Sequence, residues 1–183
     1  SKNKELKPEN FTHGSKKKYL WQCPKHKSHI YDASIANRTN LGRGCPYCSG
    51  KKLHSSNSLS NVNPKIASLW HPTLNEKLTP KDVTHGSGLS VWWKCPKGED
   101  HVWKAPIGNL TSGGQLCPVC AGKKVVKSNS LSYLKPKIAS EWHTTKNGNL
   151  TPDKVTETSG KKVWWICNNK KHEWKTTIAS RTS

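Results

Sequence analysis

The sequence contains no methionine and one phenylalanine, and only 32% of its 183 residues are hydrophobic. That is too little apolar material for one large core. The composition therefore favours small modules that need an additional cross-link, such as a disulfide or a bound metal ion. Long hydrophobic runs are absent as well. No segment approaches the roughly 18 apolar residues of a membrane span, and no signal-peptide core is present. We therefore expect neither a membrane protein nor a single large globular domain.

Acidic residues are scarce: 11 Asp and Glu stand against 31 Lys and Arg, which gives a formal net charge of +20. A chain with this balance is expected to have a polyanionic partner, most often nucleic acid. An anionic membrane surface is the weaker alternative, because no amphipathic helix with an apolar stripe is present to lie on it. The charge therefore favours a nucleic-acid partner and no membrane partner.

Two residue types are abundant, with nine tryptophans and seven cysteines. Indoles bury much area per residue, so each small core is expected to be built around a few of them. The odd number of cysteines, their C-x-x-C spacing and the histidines between them favour thiolate metal binding over disulfides. Such thiolates persist in a reducing compartment, so we expect an intracellular protein.

An internal repeat of constant length organises the chain. Cys23, Cys95 and Cys167 recur at equal intervals, and the C-P-x-C pair of residues 45–48 returns at residues 117–120 with the same offset. The first repeat is expected to lack its N-terminal helix, and the third to end before its C-P-x-C pair. We therefore expect a piece of a longer array, in which any catalytic domain lies outside this segment. The repeat predicts three modules, residues 1–56, 57–128 and 129–183.

Each complete repeat carries the pattern C-x5-H followed by C-P-x-C, which supplies four nitrogen and sulfur ligands of the kind that zinc binds in a tetrahedron. A β-hairpin is expected to bring the first pair to the second. Four protein ligands leave no open coordination position, so we predict structural zinc rather than a catalytic metal. The two predicted sites consist of Cys23, His29, Cys45 and Cys48, and of Cys95, His101, Cys117 and Cys120.

Alternatives stay open at these sites. His26 competes with His29 in the first module, although His29 shares with His101 its place two residues before an aromatic side chain. The third module offers only Cys167 and His172, so its site is incomplete in this segment. At all three predicted metal sites, the alternative is that the cysteines are buried and bind no metal. A filled Cys3His site carries one negative charge, so two of them lower the formal charge to about +18.

Several motifs recur along the chain: Asn129-Ser130-Leu131, the run from Pro136 to His143, Leu150-Thr151-Pro152, Val163-Trp164-Trp165 and C-P-Y-C-S-G-K-K. Together they resemble the probable zinc-ribbon, treble-clef repeat family. The resemblance implies small α+β zinc-stapled modules in tandem, each with a treble-clef or zinc-ribbon-like β-hairpin and a short helix. By analogy with relatives that carry endonuclease domains beside such repeats, it also implies nucleic-acid binding.

Cations cluster at recurring places, before the first zinc strand and after the second cysteine pair. Lysine outnumbers arginine by 28 to 3, and lysine is a point charge suited to phosphate rather than to bidentate reading of bases. We therefore predict contacts to the nucleic-acid backbone with a steep salt dependence, against the alternative of a merely solvated lysine-rich surface. The predicted contact residues are Lys16, Lys17, Lys18, Arg38, Arg43, Lys51, Lys52, Lys123, Lys124, Lys161, Lys162 and Arg181.

The strand tryptophans have two interpretations, burial in the core or stacking on bases. Trp21, Trp93 and Trp165 stand two residues before the predicted zinc cysteine of each repeat, and we expect them in the core. Trp92 and Trp164 point to the opposite face of the strand and are better placed for contact with bases.

Two other functional classes compete with nucleic-acid binding. The modules could instead join proteins and RNA in a large assembly, such as a ribonucleoprotein or a viral particle. Enzymatic activity within the segment is disfavoured, because no acidic residue recurs beside a metal site and no nucleophile is paired with a base. We therefore expect a binding protein without a small-molecule substrate, with nucleic acid as its main partner and protein partners as the alternative.

Overall fold

A computed structural model describes residue 3 and residues 6–114, 116–169 and 172–183 of the chain. In this part of the chain, strands of five residues form three two-stranded sheets, one in each repeat. Aromatic and β-branched side chains favour these strands. The pairs are β1 (Lys18–Gln22) with β2 (Ile30–Ser34), β3 (Ser90–Lys94) with β4 (Val102–Pro106), and β5 (Lys162–Ile166) with β6 (Glu173–Thr177).

The helices are short, at four or five residues each, and none in the described part of the chain is long and apolar enough to cross a membrane. The α-helices are α1 (Ile35–Thr39), α2 (Leu59–Val62), α3 (Pro64–Ala67), α4 (Ile107–Thr111), α5 (Leu131–Leu134), α6 (Pro136–Ala139) and α7 (Ile178–Thr182). Single 3-10 turns lie at Pro8–Asn10, Ser55–Asn57, Lys127–Asn129 and Pro152–Lys154. Proline opens α3 and α6, where a helix needs no amide hydrogen.

The second strand of each hairpin passes directly into a short helix. Ser34 at the end of β2 accepts a hydrogen bond from Asn37 N at 3.3 Å, and Thr177 at the end of β6 accepts one from Ser180 N at 3.1 Å. Hydroxyl side chains at such positions satisfy amide groups that a helix leaves without partners. Pro106 stands at the equivalent position after β4 and makes no such bond.

A threonine in the last turn of each of these helices ties the helix to a preceding loop. Thr39, Thr111 and Thr182 donate to the backbone carbonyls of His13, His85 and Glu157, at 2.6, 2.7 and 2.8 Å. Because the accepting atom belongs to the backbone, the side chain at the accepting position is free to change. Histidine in two repeats and glutamate in the third are therefore compatible with the same contact.

The chain divides into two compact units. The first comprises Ser1–Ser68, Asn75–Leu89 and Pro106–Ser112, and the second comprises Leu69–Leu74, Ser90–Ala105 and Gly113–Ser183. The first repeat lies in the first unit, the third repeat lies in the second, and the middle repeat contributes residues to both. The division into modules 1–56, 57–128 and 129–183 therefore stays a prediction from the repeat.

The core of the second unit contains a cluster around two tryptophans. Trp142 and Trp165 meet edge to face with ring centroids 5.5 Å apart, and Trp165 is fully buried. Trp93 is buried as completely, so the prediction of core tryptophans is confirmed for Trp93 and Trp165, whereas Trp21 in the first unit is only half-buried. The cluster consists of Leu131, Trp142, Val155, Val163, Trp165 and Ile178.

Candidate metal centres

The first hairpin places a cysteine and a histidine side by side. Cys23 follows β1, His29 precedes β2, and Cys23 N donates to His29 O at 2.9 Å. His29 N donates to His26 O at 3.0 Å, which closes the turn between the strands. Cys23 and His29 are both buried, and both belong to a cluster of potential metal ligands that does not include His26. The structure therefore favours His29 over His26 as the ligand.

The C-P-x-C segment of the first repeat forms a tight knuckle. Ser49 N donates to Cys45 O at 3.1 Å, and Lys52 N donates to Pro46 O at 3.0 Å. Gly50 has a φ of 71°, a left-handed conformation that glycine adopts without steric cost. The turn therefore folds the chain back on itself and points both thiols of the knuckle toward the hairpin.

The four ligand atoms of the first cluster lie close to the distances that a tetrahedral zinc ion requires. Cys45 Sγ and Cys48 Sγ are each 3.5 Å from His29 Nδ1, and Cys48 Sγ is 3.6 Å from Cys23 Sγ. Bonds of about 2.3 Å to sulfur and about 2.0 Å to nitrogen set such ligand atoms roughly 3.5–3.8 Å apart. A disulfide would bring two sulfur atoms to about 2 Å. The cluster is therefore arranged to bind a metal.

The second cluster repeats this arrangement at the equivalent positions of the next repeat. Cys120 Sγ lies 3.4 Å from His101 Nδ1 and 3.8 Å from Cys95 Sγ, and Cys117 Sγ lies 3.8 Å from His101 Nδ1. Three of its ligands are buried and the last cysteine is exposed, as in the first cluster. Gly98 is required in the hairpin turn, because a Cβ there would lie 2.6 Å from the His101 ring.

The family described as the probable treble clef zinc finger domain matches residues 1–51, 66–123 and 138–183, which together form most of the chain. The chain belongs to this treble clef zinc finger family. None of the curated proteins matches it. Family membership confirms the predicted fold class, tandem α+β modules with a hairpin and short helices, and zinc is the metal that the two Cys3His clusters fit.

In both treble clef sites a serine holds the ligating histidine from the other side of its ring. With Nδ1 facing the metal, His29 Nε2 donates to Ser56 Oγ at 2.7 Å and His101 Nε2 donates to Ser128 Oγ at 3.2 Å. Such a bond fixes the orientation and the tautomer of the ring. Neither serine was predicted from the sequence, although they occupy equivalent positions directly before the repeated N-S-L-S motif.

The next hydrogen-bond partner differs between the two sites. Ser56 Oγ lies 3.0 Å from His54 Nδ1, whereas Ser128 Oγ donates to Asp100 Oδ1 at 2.7 Å. Backbone and side-chain hydrogen bonds from Ser128 lower the pKa of Asp100. The second site therefore has a carboxylate anion behind its histidine, where the first has an imidazole.

Crowding makes one thiol of each site, that of the last cysteine, resist ionisation in the absence of a cation. Desolvation and the neighbouring thiols raise the pKa of Cys48 to about 11, and the same causes raise the pKa of Cys120 to about 11. Zinc must therefore displace protons from these thiols, since the thiolate is the ligand. Desolvation lowers the pKa of His29, which keeps its imidazole in the neutral form that ligation requires.

The third repeat contains half of such a site. Cys167 Sγ lies 3.7 Å from His172 Nδ1, and Cys167 N donates to His172 O at 3.0 Å, as in the other two hairpins. The Cys167 thiol also donates to Asn169 Oδ1. Within the described residues no third cysteine or histidine joins this pair. Cys167 and His172 thus stand at the positions of the first two ligands of the complete sites, although His172 is exposed where His29 and His101 are buried.

Most of the predicted phosphate-contact residues have side chains exposed to solvent, and two do not. Lys124 Nζ, although exposed, donates to Val102 O at 2.8 Å. Arg38 and Arg181 are half-buried. The exposed residues are Lys16, Lys17, Lys18, Arg43, Lys51, Lys52, Lys123, Lys124, Lys161 and Lys162.

The two half-buried arginines have partners within the protein. Arg181 Nε donates to Glu141 Oε2 at 3.0 Å, and a second guanidinium nitrogen donates to the same oxygen. Arg38 Nη1 donates to Arg43 O at 2.8 Å, and its guanidinium lies 5.2 Å from the centre of the Trp21 ring. Arg38 and Arg181 thus have partners within the protein, an aromatic ring and a carboxylate, and their contacts with phosphate stay a prediction.

Lysines cover the two tryptophans on the other face of the strands. Lys104 Nζ lies 5.9 Å from the centre of the Trp92 ring, and Lys146 Nζ lies 4.8 Å from that of Trp164. Both distances are within the range of cation–π attraction. A nucleic-acid base would have to displace these lysines, so the structure weakens the prediction of base stacking at Trp92 and Trp164.

Proposed function

We propose that this tandem array of treble clef modules binds nucleic acid, mainly through backbone phosphates, as the targeting part of a longer protein. The observation that carries the proposal is the exposed pair of lysines after each zinc knuckle, Lys51-Lys52 and Lys123-Lys124. Each pair follows directly from a segment that the metal would hold rigid. The net charge of +20 gives the array a long-range attraction for a polyanion.

Backbone hydrogen bonds tie these lysine pairs to the knuckles. Lys52 N donates to Pro46 O at 3.0 Å, and Lys123 N and Lys124 N donate to Pro118 O at 2.8 and 3.1 Å. A lysine pair anchored in this way at the same place in successive repeats suits a ligand whose charge also repeats, such as a phosphate backbone.

The exposed lysines are largely free of internal ion pairs. Among the residues that the structure describes, Lys146 and Arg181 are the only lysine or arginine side chains paired with a carboxylate. Several acidic side chains instead accept hydrogen bonds from hydroxyl groups, as Asp100 does from Ser128. A polyanion could therefore bind most of the cations without breaking a contact within the protein.

The zinc ions are assigned a structural role in this proposal. Three cysteines and one histidine would fill all four coordination positions and leave none for water or a substrate. We accordingly propose no enzymatic activity for the segment. The thiolates require a reducing compartment, which we propose as its location.

Binding of the zinc-loaded chain to labelled duplex DNA, single-stranded DNA and RNA of equal length tests the proposal. Fluorescence anisotropy from about 50 to about 300 mM salt gives the affinity and its salt dependence. We expect nanomolar to low-micromolar binding that weakens steeply as salt increases, and the preferred ligand identifies the class of nucleic acid. Absence of binding at the lowest salt would refute the proposal and favour a role in protein assembly.

A pair of variants with equal reduction of charge tests the role of the knuckles. The first variant replaces the four knuckle lysines by alanine, and we expect the salt slope to fall by about 0.9 for each phosphate that the variant no longer contacts. Equal weakening in the control would show that only net charge matters. The control variant replaces four exposed lysines elsewhere, Lys65, Lys77, Lys135 and Lys137.

A further inference from the structure

The hydrogen bonds behind the histidine of the second metal cluster end on a carboxylate that the fold holds in place. Ser128 Oγ accepts from His101 Nε2 at 3.2 Å and donates to Asp100 Oδ1 at 2.7 Å. Ser128 N also donates to Asp100 Oδ2 at 2.9 Å. One serine therefore binds both oxygens of the carboxylate and the histidine ring, so that the three side chains support each other.

The first cluster has no carboxylate at this place. Ser28 stands at the position of Asp100, and His54 stands where the second repeat has Val126. Ser56 Oγ lies 3.0 Å from His54 Nδ1, which also accepts a hydrogen bond from Ser56 N at 3.2 Å. Among the described residues, no carboxylate forms a hydrogen bond with His29, Ser56 or His54. The chain of side chains in the first cluster thus ends on an imidazole.

In other respects the two clusters are alike. Each has three buried ligands and an exposed last cysteine at equivalent positions. The backbone of the two turns is also the same, since Ile30 N donates to Ser28 O at 3.1 Å and Val102 N donates to Asp100 O at 2.9 Å. The group behind the histidine is therefore the chemical difference between the sites that lies nearest to the metal position.

A carboxylate in this position strengthens a histidine ligand. It fixes the orientation of the ring through the intervening serine and makes the imidazole a better donor to the metal, and loss of such a partner lowers metal affinity about 10- to 100-fold. A hydrogen bond that ends on an anion is also stronger than one that ends on a neutral acceptor. The second site is therefore expected to bind zinc more tightly than the first.

Two charge effects oppose this difference. A filled Cys3His site is negatively charged, so Lys25 and Lys27 in the first turn favour it and Glu99 in the second turn disfavours it. These side chains are exposed, and salt screens such charges over about 8–10 Å. The Asp100 carboxylate is 3.9 Å from His101 Nε2, on the side of the ring away from the thiols. Its attraction for the ring N–H therefore acts at shorter range than its repulsion of the sulfur atoms.

We infer that Asp100 is a positioning residue of the second zinc site and that the chain fills this site before the first. Asp100 holds Ser128, and Ser128 holds the His101 ring with Nδ1 toward the metal. When zinc is limiting, the chain carries one ion, bound by the second cluster. The first repeat is then the part of the chain whose structure follows the supply of zinc. This inference is independent of nucleic-acid binding.

The order of filling is tested first in the unaltered chain under reducing conditions. The NMR resonances of the His29 and His101 rings report which cluster holds the metal. With one equivalent of zinc, we expect most of the His101 signal to be metal-bound and most of the His29 signal to be metal-free. Equal filling of the two clusters, or filling of the first before the second, would overturn the order.

Two full-length variants give the affinity of each site alone. Cys45→Ser leaves the second cluster intact, and Cys117→Ser leaves the first. In competition with a chelator, we expect the second cluster to bind zinc about tenfold more tightly than the first. Equal affinities would contradict the inference.

The role of Asp100 is tested by substitutions in these two backgrounds. Asp100→Asn keeps the shape of the side chain and removes its charge, so zinc affinity at the second cluster should fall about tenfold. Glu99→Gln is the matched control, because it removes the same charge from an exposed neighbour and should leave the affinity unchanged. Unchanged affinity with Asp100→Asn, or an equal loss with Glu99→Gln, would overturn the role of Asp100.

A gain of affinity in the first cluster distinguishes this role from damage to the fold. Ser28→Asp places a carboxylate at the position equivalent to Asp100, in a turn with the same backbone hydrogen bonds. We expect zinc affinity at the first cluster to rise toward that of the second, because Ser56 then has an anion to bind. A disturbed fold would lower the affinity, and a fall with Ser28→Asp would therefore contradict the inference.

Discussion

The described residues of the first and the third repeat show two different parts of one repeating unit. In the first, four potential zinc ligands lie within tetrahedral distances and Trp21 is half-buried. The third has Trp165 fully buried in a core that α5 and α6 complete, and it contributes two zinc ligands, Cys167 and His172. A repeat therefore has two separable stabilising parts, a metal cluster at the turn of its hairpin and a helix pair that covers its indole.

Removal of zinc should separate the two parts most clearly. A structural zinc site of this kind contributes on the order of 10 kcal/mol to folding. With a chelator under reducing conditions, we expect the Trp21 region to lose its structure while the core of Trp142 and Trp165 persists. Dispersed indole resonances in an NMR spectrum measure each region. Simultaneous loss of both sets would show that the two parts are not separable.

The pH dependence of zinc affinity should be the next largest effect. The zinc-free sites keep thiol protons at neutral pH, because the pKa of Cys48 and of Cys120 is raised to about 11. The zinc-free state thus binds more protons, and a fall in pH favours it. The apparent affinity for zinc should rise about tenfold per pH unit for each proton that zinc displaces. Competition with a chelator between about pH 6 and about pH 8 measures this affinity. A flat profile would contradict thiolate ligation.

Substitution of Trp142 by alanine tests the apolar half of the comparison. The change leaves a cavity against Trp165, and losses for buried tryptophan are about 3–5 kcal/mol. We expect the unfolding free energy of the second unit to fall by this amount in denaturant, with zinc binding at the first cluster unchanged. Tyr133→Ala is the matched control, because Tyr133 is 59% exposed. A large effect of the control would undermine the assignment of the core.

The smallest expected effect concerns the turn of the second zinc hairpin. Gly98→Ala brings a Cβ to 2.6 Å from the ring of His101. Overpacking of this kind costs about 1–3 kcal/mol, so zinc affinity should fall about tenfold or more at the second site alone. Gly88→Ala is the control, because nothing lies within 4 Å of the added atom. Unchanged affinity in the Gly98 variant would mean that the turn adapts freely.

The metal clusters could be predicted from the sequence because their chemistry depends on rare residue types. Cysteine and histidine at a fixed spacing, recurring at the same place in successive repeats, indicate both the ligands and the closed geometry. The burial of Trp93 and Trp165 followed from their place on the same strand face as the ligating cysteine. The spacing of the ligands and the alternation of side chains along a strand are both local features of the sequence, so the sequence alone indicates which way these side chains point.

Contacts between distant residues could not be predicted in this way. Arg181 meets Glu141 across 40 residues, and only the folded chain shows that its charge is already paired. Ser56 and Ser128 repeat as regularly as the ligands do, but serine is so common in loops that a repeat alone does not assign a hydrogen bond to histidine.

The most direct test of the account is the number of zinc ions bound by each chain, measured by native mass spectrometry under reducing conditions. We predict two zinc ions, one for each complete cluster, and a single ion in the variant Cys45→Ser. A chain that binds no zinc, or a Cys45→Ser variant that still binds two ions, would contradict it.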